Sequence, residues 1–168
     1  VAPDLKEFGL RVGGHVANPL SLSVDELRAK FEPVSCVALN QCSGNSRGLF
    51  EPQIPGSQWG HGAMGNARWT GVRLRDLLDA AKLRAGAVDV TMRGLDKPPM
   101  PGTPPFVKAL GVEHARDGEV MVAYEMNGAP LPLLNGFPLR LVTPGWYATY
   151  WVKSLSDIEV LAAPFDGF

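Results

Sequence analysis

A cysteine at the end of an apolar run is the residue in this sequence best placed to do chemistry. Cys42 follows the mainly apolar residues 34–41 and opens a loop, Ser-Gly-Asn-Ser, that ends at Arg47. Small residues let the backbone approach a bound group closely, and an arginine five positions later can reach the same space. Taken alone, Cys42 could serve as a nucleophile, as a metal ligand or as a small core residue, because free cysteine also packs as a hydrophobe.

The other cysteine and the histidines narrow these alternatives. Six residues of strand separate the Cα atoms of Cys36 and Cys42 by about 20 Å, whereas a disulfide requires less than about 7 Å. His15, His61 and His114 are scattered and lack the spacing of a tetrahedral zinc site. None of them has the local context expected of the base in a Cys/His protease. We therefore expect no mutual disulfide and predict that Cys36 is a core residue.

The elements that must hold this loop are short strands and a few helices. Alternating apolar residues predict a strand over 8–16, and Ser23 with Glu26 has the spacing of a capping box that begins a helix. Residues 34–41 predict a buried strand. Residues 43–68 show no clear period and are rich in Gly, Pro, Ser and Asn. A segment of this length without secondary structure is uncommon inside a domain unless it is functional.

The second half of the chain continues the same pattern. An amphipathic helix is expected near residues 72–81, and one helical turn is expected at 106–110. Asn127-Gly128 predicts a tight hairpin turn. Further strands are predicted at residues 88–92, 120–124, 139–142 and 151–161. The fold class predicted from these elements is α+β, mixed and strand-rich, with a few short helices.

Composition excludes several classes of protein. The 168 residues are 45% hydrophobic and 20% charged, as in ordinary globular domains, and the net charge is −1. No basic stripe indicates a nucleic-acid partner. No apolar run approaches the ~20 residues of a membrane span, and Val1 does not open a signal peptide.

Several motifs in sequence order resemble those of one enzyme family. Residues 41–47 (QCSGNSR) are similar to the Cys-Ala-Gly-Asn-Arg-Arg motif of sulfite oxidases and plant nitrate reductases. Further similar segments are GAMGNARWTGV at 62–72, AYEMNGAPLP at 123–132, NGFPLR at 135–140, WVK at 151–153 and FDGF at 165–168. The sequence of residues 59–66 is most similar to that of bacterial, periplasmic sulfite dehydrogenases. The resemblance implies a sulfite-oxidase-type molybdopterin-binding domain.

The resemblance implies a role for each matching residue. Cys42 would be the thiolate ligand of molybdenum held by the pterin dithiolene, and soft thiolates suit such metals. Arg47 would face the oxyanion substrate, because a guanidinium offers paired N–H donors and keeps its charge. The positions that would bind the cofactor are Cys42, Asp96, Asn135, Arg140, Trp151, Val152 and Lys153. Trp59 and Trp69 are interpreted as packing residues.

The implied activity is oxidation of sulfite to sulfate by oxygen-atom transfer. Electrons would pass to a haem protein such as a c-type cytochrome. Two alternatives stay open: oxygen-atom transfer with nitrate, a sulfoxide or another sulfur compound, and a non-catalytic cofactor-binding domain. Residues 1–168 are expected to form one catalytic domain of a longer, periplasmic enzyme that could be oligomeric. The family's Arg-x-His segment, active-site tyrosine and C-terminal dimerisation domain have no counterpart in this sequence, so the isolated piece is expected to bind cofactor weakly or to be inactive alone.

Overall fold

Two five-stranded sheets form the framework of the computed structural model, which describes residues 2–167. Val1 and Phe168, the ends of the predicted domain and of its last motif, lie outside the described residues. The first sheet has the order β2-β1-β10-β5-β6, with β1 and β10 parallel and the other pairs antiparallel. Its strands are β1 (Leu10–Gly14), β2 (Leu20–Leu22), β5 (Asp89–Gly94), β6 (Val107–Gly111) and β10 (Leu155–Leu161).

The second sheet is antiparallel and carries the loop that begins at Cys42. Its order is β3-β4-β7-β8, and β9 pairs with β7. Its strands are β3 (Val34–Gln41), β4 (Met64–Arg73), β7 (Met121–Met126), β8 (Ala129–Pro130) and β9 (Arg140–Val142). The predicted Asn127-Gly128 turn joins β7 to β8, and both residues have positive φ.

Short helices complete the fold and confirm the α+β prediction. The α-helices are α1 (Val24–Lys30), α2 (Leu74–Ala81) and α3 (Val112–Ala115), and single 3-10 turns occupy Arg47–Leu49, Leu133–Asn135 and Ala148–Tyr150. The apolar face of α2 is fully buried, in a core that includes side chains from both sheets. Within residues 2–167, no helix combines the length and the apolar character that a membrane crossing requires.

Three local predictions were wrong. Residues 106–110 belong mostly to strand β6 instead of a helical turn, because β6 pairs along β5. The irregular segment ends at Ala63, since β4 begins at Met64 and pairs with both β3 and β7. The apolar run of β3 is not buried: this strand is at the edge of its sheet, and Val37 and Leu39 are 64% and 44% exposed.

The capping box at α1 is confirmed, and it leads to a stability prediction. Ser23 Oγ accepts from the Glu26 N–H at 3.1 Å, while the Glu26 carboxylate accepts from the Ser23 N–H at 3.0 Å. We expect Ser23→Ala to lower the free energy of unfolding by about 1 kcal/mol, because the helix loses a capped N–H. Urea denaturation measures this change. Ser57→Ala, at an exposed loop serine, is the control, and equal midpoints for the two variants would contradict the role of the cap.

Candidate functional site

Cys42 lies at the mouth of a pocket beside the end of β3. Its N–H donates to the Ala63 carbonyl at 2.9 Å, which extends the β3–β4 pairing by one step. The half-buried thiol sulfur accepts a weak hydrogen bond from the Gly44 N–H at 3.4 Å. The pocket has a volume of about 400 Å³ and is lined by Cys42, Trp59, Gly60, His61, Gly62 and Ala63. The thiol therefore faces a space large enough for a bound group.

Asn45 holds the two walls of this pocket together. Its Oδ1 accepts from the N–H groups of Gly62 and Ala63 at 3.1 and 2.9 Å. A second link joins Ser46 Oγ to His61 Nδ1 at 2.8 Å. Neither Asn45 nor Ser46 is among the site residues predicted from the sequence, although an asparagine in a glycine-containing loop is a known signal for side chain to backbone bonding.

The side chains of Arg47 and Trp59 lie next to Gly44, whose N–H donates to the Cys42 thiol. A Cβ atom added at Gly44 would lie 3.1 Å from Nη2 of Arg47 and 3.2 Å from Cδ1 of Trp59. The Arg47 guanidinium also packs on Gly56, where an added Cβ would lie 2.1 Å from Nη1. Gly56 has a φ of +118°, so a side chain would be disfavoured there on both counts. Trp59 packs against Gly44, in line with its predicted packing role, but its side chain is 53% exposed and also lines the pocket.

No carboxylate in residues 2–167 forms an ion pair with Arg47. The half-buried guanidinium is therefore a cation available to an anion that enters from outside the protein.

A second cluster surrounds Arg140 on the same sheet. This arginine is 7% exposed, and its Nη1 donates to the Asn135 carbonyl at 3.1 Å. Its guanidinium lies over the indole rings of Trp69 and Trp151, at 5.0 and 5.7 Å from their centroids. Burial lowers the pKa of Arg140 to about 10, which still leaves it charged at neutral pH. Its Nε is buried and has no hydrogen-bond partner among the described residues.

Lys153 and Asn135 lie beside Arg140 at the Leu133–Asn135 turn. Lys153 Nζ donates to the Leu134 carbonyl at 3.1 Å, and the next carbonyl in the sequence, that of Asn135, accepts from Arg140. Two cationic side chains thus share one turn. Because Lys153 is exposed, its ammonium group can reach a ligand more freely than the guanidinium of Arg140.

The segment 151–155 brings the remaining predicted residues to this cluster. Gly94 packs so closely on it that an added Cβ would lie 2.3 Å from the Lys153 carbonyl oxygen, and Leu95 N–H donates to the Ser154 carbonyl at 3.0 Å. These contacts bring the loop with Asp96 beside Lys153. Asp96 itself is exposed and lines an adjoining pocket of about 540 Å³.

Trp151 and Val152 lie in the protein core, with part of their main chain already hydrogen bonded. Both side chains are 1% exposed. The Val152 carbonyl accepts from the Leu141 N–H at 2.9 Å, and the Trp151 N–H donates to the Ala148 carbonyl at 3.1 Å. Trp151 Nε1 donates to the Trp146 carbonyl at 3.0 Å. Two of the four main-chain polar groups of these residues are thus already engaged within the protein.

One face of β3 connects the thiol with the Arg140 cluster. Trp69 Nε1 donates to the Ala38 carbonyl at 3.2 Å, and Ala38 precedes Cys42 by four residues, or about 13 Å of strand. Asn40 lies between them, and its Nδ2 is buried without a partner among the described residues. A thiol, a buried amide donor and a buried cation therefore follow one another along an elongated path.

Comparison with known proteins shows which family the sequence of this chain matches. Residues 1–168 match the oxidoreductase molybdopterin binding domain family. Mitochondrial sulfite oxidase from Rattus norvegicus is 39% identical over 155 residues, covering 89% of this chain and 28% of that protein. NADPH nitrate reductase from Fusarium oxysporum is 34% identical over 167 residues, covering 98% of this chain and 18% of that protein.

A solved structure gives the same result for the fold. The sulfane dehydrogenase SoxCD from Paracoccus pantotrophus superposes with a TM-score of 0.82 at 25% identity, covering 97% of this chain and 40% of that one. This chain spans less than a third of the length of the mammalian sulfite oxidases that it matches.

Proposed function

The chain belongs to the oxidoreductase molybdopterin binding domain family, the sulfite oxidase family whose members bind molybdenum–molybdopterin, and from this premise we propose that the full-length protein oxidises sulfite to sulfate. Residues 1–168 would form its cofactor-binding catalytic domain. The observation that carries the proposal is that the Cys42 thiol and the Arg47 cation, which has no ion pair among the described residues, both lie against Gly44.

The donors in the cleft fit this cofactor. A thiolate is a suitable ligand for a soft metal and loses its proton on coordination. Arg140 Nε and Asn40 Nδ2 are buried donors without partners in residues 2–167, and a buried donor of this kind is unfavourable unless it is satisfied. The cofactor would satisfy both, with its phosphate between Arg140 and Lys153 and its pterin ring near Asp96 and Asn135.

The residues of this chain would bind and orient the anion. When bound, the cofactor supplies oxygen-atom transfer and accepts two electrons. Arg47 would hold two oxygens of sulfite with its paired N–H groups and neutralise their charge. Trp59 would cover one side of the pocket and limit the access of water. The electrons would leave to a haem protein, for which a c-type cytochrome is our proposal, and the resemblance of residues 59–66 to bacterial sulfite dehydrogenases supports a periplasmic location.

A second candidate reaction is favoured by two of the relatives. The nitrate reductase and the sulfane dehydrogenase contain related chains, so nitrate and reduced sulfur compounds are alternative substrates. Steady-state assays on the full-length protein decide among them. We expect sulfite-dependent reduction of cytochrome c, at a rate well above that with nitrate and reduced dye or with thiosulfate.

Arg47→Gln tests the site and the reaction together. We expect the KM for sulfite to rise between about tenfold and a hundredfold, because a charge-assisted hydrogen bond contributes roughly 1.5–3 kcal/mol. Molybdenum content should stay at the wild-type level. Arg68→Gln is the control, since Arg68 is an exposed arginine on the neighbouring strand β4. An unchanged KM at full metal loading would refute substrate binding by Arg47.

A further inference from the structure

The burial of Arg140 requires an explanation within the protein. A guanidinium with 7% exposure has lost most of its water, and it has a single hydrogen bond with the described residues, to the Asn135 carbonyl. The faces of two indoles lie over it instead, with Trp69 the nearer at 5.0 Å. The negative face of an indole attracts a cation, and most strongly where water is excluded. The aromatic rings therefore replace part of the lost hydration.

Trp69 is itself fixed in place from two sides. Its Nε1 donates to the Ala38 carbonyl on β3, and its ring meets the Trp151 ring edge to face at 5.7 Å, with 70° between the planes. The side chain is 2% exposed. The hydrogen bond and the close packing of the core restrict the movement of this indole. It therefore offers a rigid surface against which the guanidinium lies.

We infer that Trp69 is a positioning residue, which holds the Arg140 guanidinium in the orientation in which it binds the cofactor phosphate. The inference rests on the proposed function, because it presumes that Arg140 binds that group. Trp69 also connects the two ends of the site, since the same indole that supports Arg140 is hydrogen bonded to β3, the strand that leads to Cys42. The role extends the packing function predicted from the sequence.

A double-mutant cycle separates positioning from simple packing. The variants are Trp69→Leu, Trp69→Phe and Arg140→Ala, with each tryptophan variant also combined with Arg140→Ala. Molybdenum and pterin content are measured in the purified full-length protein at limiting cofactor supply, together with the rate at which cofactor dissociates. We expect Trp69→Leu to weaken retention roughly three- to thirtyfold, and Trp69→Phe, which keeps a ring face, by about threefold or less.

In the Arg140→Ala background, both tryptophan substitutions should cause no further loss, because the group that they position is gone. A loss of the same size in both backgrounds would show that Trp69 acts through packing alone and would overturn the inference. Leu77→Ala creates a cavity on α2, in a buried cluster that does not contain Trp69, so it controls for lowered stability and should leave retention unchanged. If Trp69→Leu does not fold, Trp69→Phe is compared in the wild-type and Arg140→Ala backgrounds, and a loss in the first background alone supports positioning.

The cycle also separates this inference from the proposed function. If Arg140→Ala retained its cofactor normally, the phosphate contact and the role of Trp69 would both be refuted. If Arg140→Ala lost cofactor while Trp69→Leu did not, only the positioning role would be refuted.

Discussion

The Cys42→Ser variant of the full-length protein is expected to lose bound molybdenum and to oxidise sulfite at least about a hundredfold more slowly than the wild type. Replacing even the indirect partners of metal ligands typically costs 10- to 100-fold. A serine hydroxyl keeps the size of the side chain but is a harder donor that does not deprotonate readily at neutral pH. Metal analysis and sulfite-dependent reduction of cytochrome c measure the two effects.

Cys36→Ser is the matched control for this substitution. Cys36 lies on the same strand and its thiol donates to Met121 Sδ at 3.5 Å. Burial raises the pKa of the Cys36 thiol, so it stays protonated and is a poor ligand. We expect this variant to keep most of its activity and its metal. Comparable losses in the two variants, or none in either, would show that the metal ligand is assigned wrongly.

Removal of the two cations at the Leu133–Asn135 turn is expected to have the second largest effect. Each charge-assisted hydrogen bond to a phosphate contributes roughly 1.5–3 kcal/mol, so Arg140→Ala and Lys153→Ala should each weaken cofactor binding between about tenfold and a hundredfold. Arg140→Ala should be the more severe, because its guanidinium is desolvated and Lys153 is exposed. Molybdenum and pterin content at limiting cofactor supply are the measurements.

Lys6→Ala, at an exposed lysine in the N-terminal turn, controls for a change of net charge alone. It should leave cofactor content unchanged. The double variant Arg140→Ala with Lys153→Ala should purify almost free of pterin. Wild-type molybdenum content in that double variant would mean that the phosphate binds elsewhere on the protein.

The sequence predicted those features of the fold and of the site that depend on residues close together in the sequence. The Cys42 loop, the capping box at Ser23 and the Asn127-Gly128 turn are short patterns whose physical causes lie within a few positions of one another. The cofactor was predicted because several such motifs, in the same order, resemble those of one enzyme family. The structure brings Cys42 and Arg47 together, as expected from five positions of separation.

The environment of Arg140 could not be predicted in this way. The two indoles that flank it come from positions 69 and 151, and only the pairing of β4, β7 and β9 brings the first of them near. The same limit explains the errors at residues 106–110 and at β3. Whether an apolar segment becomes a strand, and whether that strand is central or at an edge, depends on partners far away in the sequence.

The edge position of β3 affects the surroundings of the thiol. Among the described strands only β4 pairs with β3, so the other edge of β3 has no strand partner, next to the exposed Val37 and Leu39. A strand that added to this edge would run alongside the residues leading to Cys42 and continue the sheet to the mouth of its pocket. Access of solvent and of reaction partners to the thiol is thus coupled to whatever occupies the free edge of β3.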